Sequence, residues 1–114
     1  MRPERSPIIT LFVVEHRHTP DACPASAPTG SLLLDQVSAT TAAHFGVSIE
    51  AEAFLYHEHL FLLVVEAASR ETVERFLAFL GPAGDLKVLL ATTAEDAVAR
   101  GGCGCGTPLS RVNR

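Results

Sequence analysis

The side chains able to do chemistry fall into three short clusters. Glu15-His16-Arg17-His18 ends an apolar run, and Cys23 follows shortly after it. Tyr56-His57-Glu58-His59 separates two further apolar runs. Cys103 and Cys105 sit among glycines near the C-terminus. Imidazole and thiolate together suit zinc, nickel, copper or iron, and disfavour magnesium and calcium. His16 and His18 are two apart on an expected strand, so both point to the face of Phe12 and Val14. His57 and His59 keep the same parity if the turn between them leaves it intact. The expected metal ligands are therefore His16, His18, His57 and His59, with Cys23, Cys103 and Cys105 as partners. Glu15 and Glu58 stand beside them to orient an imidazole or supply an oxygen. The competing reading makes His57 and His59 solvent-facing hairpin residues, Cys23 a small buried filler, and the two late cysteines part of a loose tail.

These residues converge only if the elements around them do. Ile8–Val14 is rich in β-branched and aromatic residues and reads as a strand extending to His16 or His18. Residues 19–29 hold Pro20, Pro24 and Pro28 and read as a loop. A single helix from Thr29 or Ser31 to Phe45 is expected next, ended by Gly46. Val47 to His57 alternates, with Val47, Ile49, Ala51, Ala53 and Leu55 on one face. Leu60–Glu66 is apolar on both faces, as suits a central strand. Ser69 caps a second helix whose Val73, Phe76, Leu77 and Leu80 form one stripe, stopped by Gly81-Pro82. Asp85–Ala91 is a fourth strand. Thr93 with Asp96 opens a short last helix to about Arg100.

The order is β-α-β-β-α-β plus a C-terminal helix. It predicts an α+β, ferredoxin-like domain over residues 8–100, between tails at 1–7 and 101–114. The expected sheet is antiparallel, four-stranded and ordered 4-1-3-2, with two helices on one face. In that order the ends bearing His16, His18, His57 and His59 lie on one rim, with Cys23 leaving it. Cys103 and Cys105 are expected to return to that rim, whereas His44 falls at the opposite end.

The chain has 114 residues, an apolar fraction of 47% and a net charge of −4. That is a globular composition with room for one domain, and its sign argues against a general nucleic-acid partner. No apolar run approaches the roughly 20 residues that span a bilayer. Three cysteines, two of them one residue apart, argue for reduced thiols over a disulfide framework. A cytoplasmic protein is expected.

The first and third strands are apolar on both faces, yet two helices cover only one face of a sheet. The remedy expected is a second subunit packed sheet to sheet, hence a homodimer. With this patterning, residues 8–100 resemble the dimeric α/β-barrel superfamily. That resemblance rests on topology and carries no motif. Among its members are cofactor-free monooxygenases, muconolactone-type isomerases, haem-binding proteins and small bacterial nickel-binding proteins. The histidine cluster makes the metal-binding members nearest in character. Two alternatives stand beside a small metal-binding protein. One is a small-molecule isomerase or oxygenase, metal-dependent or cofactor-free, with His16 or His18 as general base. The other is an interaction module with incidental histidines. No nucleophile elbow, phosphate loop, dinucleotide fingerprint or His-Glu-x-x-His motif occurs.

Overall fold

The computed structural model describes residues 9–103. Four strands, β1 (Thr10–His18), β2 (Ser48–Leu55), β3 (Leu60–Ala67) and β4 (Gly84–Ala91), form one antiparallel sheet. Its order is β2-β3-β1-β4, which reads 4-1-3-2 from the β4 edge. β1 is central and pairs with β3 and β4 over nearly its whole length.

Between β1 and β2 the chain forms two helices, α1 (Gly30–Gln36) and α2 (Ala39–His44), not the single helix expected. The break lies at Ser38, whose backbone is extended and whose hydroxyl accepts the Thr41 N–H at 3.1 Å. A serine that can cap outcompetes helix continuation through its own backbone. Gly46, at φ +80°, ends α2, a left-handed position that favours glycine. α3 (Arg70–Phe76) is capped by Ser69, which accepts from Thr72 N–H at 3.2 Å. It tightens into a 3₁₀ segment, Ala78–Ala83. α4 (Ala94–Ala99) is capped by Thr93, which accepts from Asp96 N–H at 3.1 Å, and buries none of its residues.

The helices cover one face of the sheet. Phe12, Val14, Phe61, Leu63, Val65 and Val88 of that face pack with Leu33, Val37, Ala42, Val73, Phe76, Leu77 and Leu80. Val73, Phe76, Leu77 and Leu80 are all buried, as their stripe requires. β2 departs from simple alternation. A bulge between Ile49 and Ala51 shifts its register, so two residues of β2 answer one of β3. Ile49 and Phe54 then lie on the helix-covered face beside Val65 and Phe61, and Ala51, Ala53 and Leu55 on the other. The uncovered face carries Leu11, Val13, Leu62, Val64 and Leu89. At the edge of that apolar area Glu15 sits directly opposite Lys87, and Arg17 opposite Asp85.

Candidate functional site

The rim of the sheet at the C-terminal end of β1 is shaped by strand register. His16 pairs with Phe61 on one side and Leu86 on the other, and His18 pairs with Gly84. Gly84 is required there by close approach: a Cβ on it would collide with the Arg17 carbonyl oxygen. The strand parity puts both imidazoles on the helix-covered face. Among the described residues they are the only buried polar or charged side chains, His16 at 0% and His18 at 7% exposure.

His16 Nε2 lies 3.0 Å from the Leu80 carbonyl oxygen. A carbonyl only accepts, so Nε2 carries the proton and Nδ1 carries the lone pair. Leu80 lies in the 3₁₀ segment, where Gly84 N–H bonds to the Gly81 carbonyl, and a carbonyl oxygen has two lone pairs, so it can accept from His16 as well as from its own helix. Both His16 Nδ1 and His18 Nδ1 are buried and lack a hydrogen-bond partner. Buried polar atoms without partners are uncommon and call for an explanation such as a bound water or ion. The two rings stack with centroids 5.5 Å apart. His59 meets His18 edge-on at 6.0 Å, and Phe54 lies 6.2 Å from it. The His18 N–H donates to the His59 carbonyl at 3.0 Å, which ties the turn to β1.

Burial pushes the pKa of His16 below the usual histidine value, against the raising effects of the Leu80 carbonyl and the Asp85 charge. His18 is also lowered, first by burial and then by the neighbouring His16 and His59, against the raising effect of the His16 backbone. Both imidazoles are therefore held neutral, the form that binds metals or accepts protons.

The expected donors divide into those that gather and those that do not. His16, His18 and His59 form a continuous row of rings. His57 does not join it: it is exposed in the turn, with its ring against Tyr56 at 4.7 Å. His59 adopts φ +54°, so the tight turn breaks the shared parity on which that expectation rested. Cys23 follows the 3₁₀ turn Pro20–Ala22 and is half-buried. It lines a cavity of about 350 Å³ with Thr29, Leu33, Phe79, Leu80 and Pro82. That cavity adjoins the histidines through Leu80. Cys103 does not return to the rim. It lines a cleft of about 700 Å³ with Ile9, Leu11, Ala91 and Arg100, at the opposite end of the sheet, because α4 is too short to run back along it. Cys105 lies outside the described residues. Among the described residues no three histidine, cysteine, aspartate or glutamate side chains are grouped closely enough to hold a metal ion.

Two contributors escaped the sequence pattern. Phe54 stands on the polar parity of β2, and an aromatic residue there was the one signal of a bulge. The Leu80 carbonyl has no sequence signal, since every residue carries the same backbone acceptor and only tertiary packing decides which one meets His16.

No family model matches the chain, and no match to it was found among curated proteins or among solved structures. None of the described helices is long and apolar enough to cross a membrane.

Proposed function

We propose that this protein binds a transition metal at the buried histidine rim, in a ferredoxin-like subunit of the dimeric α/β-barrel kind. The observation carrying this reading is the pair of buried Nδ1 atoms on His16 and His18 without partners. An imidazole whose other nitrogen donates to a backbone carbonyl is the usual form of a metal-ligating histidine, and His16 has that form through Leu80. His59 is the nearest further donor. Cys23 stands at a cavity whose wall shares Leu80 with the rim.

The uncovered sheet face supports the homodimer. It combines an apolar centre with oppositely charged pairs, Glu15 with Lys87 and Arg17 with Asp85, so a second copy meets no excess of one sign. A reducing compartment such as the cytoplasm suits the thiols.

The test is elemental analysis of the purified protein, then titration with zinc, nickel, copper and iron salts. About one ion per chain, lost in His16→Gln and His18→Gln, is the expected result. No uptake of any ion by the folded protein rejects the reading. The cavity beside Cys23 favours a second reading, a small-molecule enzyme of the isomerase or oxygenase type. Binding of a small organic ligand there without metal would support it.

A further inference from the structure

We infer that the ion selected by the histidine pair is cuprous, Cu(I), held between His16 Nδ1 and His18 Nδ1. This rests on the metal-binding reading above and narrows it to one ion. Three features of the site bear on it.

The first is donor number. Two buried nitrogens lack partners, and among the described residues no third histidine, cysteine or carboxylate joins them closely enough for a site of three or more. Zinc takes four ligands, and nickel(II) and copper(II) favour square or tetragonal sets of four or more. Cu(I) has a filled d shell and imposes no such geometry, so two nitrogens satisfy it.

The second is charge. The pair faces an apolar shell built from Val14, Phe61, Leu80 and Leu86 on adjoining strands and helix, with Phe54 beside His18. Register turns Asp85 and Lys87 to the opposite face. Among the described residues no carboxylate is buried. Desolvation cost grows with the square of charge, so a divalent ion costs about four times as much to bury as a monovalent ion of equal size.

The third is spacing. Metal–nitrogen bonds of about 2 Å bring two nitrogens within about 4 Å of each other. The two rings lie side by side, centroids 5.5 Å apart and planes 26° from parallel, so closing both nitrogens on one ion requires the imidazoles to turn out of that stack.

The three cysteines also bind Cu(I), so the experiment uses the full chain carrying Cys23→Ser, Cys103→Ser and Cys105→Ser. Cu(I) is supplied anaerobically with ascorbate and competed against a chromogenic Cu(I) chelator, whose absorbance reports the copper the protein has taken. Zinc, nickel and cobalt(II) are titrated separately into the same protein. The expected result is one Cu(I) per chain, bound more tightly than any divalent ion. Affinity should fall about tenfold or more in each of His16→Gln and His18→Gln. Glutamine at position 16 keeps a donor for the Leu80 carbonyl, and circular dichroism checks that both variants fold. Zinc or nickel bound at the histidines as tightly as Cu(I) would overturn this inference and leave the broader reading intact. Cu(I) binding that disappears with the cysteines would overturn it as well. Uptake of no ion would end both.

Discussion

Acidification of the metal-free protein should weaken the fold through His16 and His18. In the unfolded chain both histidines titrate near the ordinary value of about 6.5. In the folded protein both are lowered, chiefly by burial. Above about pH 6.5 both states are neutral at these positions and the fold keeps its full stability. As pH falls below that value the unfolded chain takes up protons first, and the equilibrium shifts toward it until the folded pKa values are reached. The slope is about 1.4 kcal/mol per pH unit for each proton bound only by the unfolded state, or about 2.8 for both histidines. Domains of this size are stable by about 5–15 kcal/mol, so one pH unit removes a readable share. The repulsion of His18 by His16 and His59 makes a second proton harder to add to the fold, which prolongs the loss. The assay is urea unfolding followed by circular dichroism at several pH values between about 7.5 and 5, above the carboxylate range. The double variant His16→Gln/His18→Gln should flatten most of the dependence. Wild-type stability that is level or rises as pH falls through this window would refute the claim that the imidazoles are held neutral by burial.

Two further outcomes follow from the same packing. Gly84→Ala forces a Cβ against the Arg17 carbonyl, so it should cost about 1–3 kcal/mol in urea unfolding and disturb the histidine rim at His18; unchanged stability would mean that β4 can shift freely. Val64→Lys places a charge at the centre of the uncovered sheet face, between Val13 and Ala51. In the proposed homodimer it should lower the mass seen by sedimentation to that of one chain, and a dimer that survives would locate the contact elsewhere.

Much of this architecture was readable because its causes are local. β-branched runs with period-two patterning name the strands, and Ser69, Thr93 and Gly46 mark helix ends through their own backbone chemistry. The two-sided apolar pattern of β1 and β3 made them central, and central strands carry the order of the sheet. His16 and His18 on the buried face followed from parity alone.

What tertiary structure decided depends on register and on groups that no local pattern constrains. The cap at Ser38 competed with helix continuation and won, splitting the first helix. The bulge near Glu50 turned Phe54 toward His18, and the left-handed backbone at His59 separated it from His57. The packing of the 3₁₀ segment on the sheet brought the Leu80 carbonyl to His16, and a short α4 left Cys103 at the far end of the sheet. Residue types and spacing thus specified which donors were present and which face of β1 they took. Which donors meet, and which nitrogen of His16 is left with a free lone pair, was settled by contacts between residues far apart in the chain.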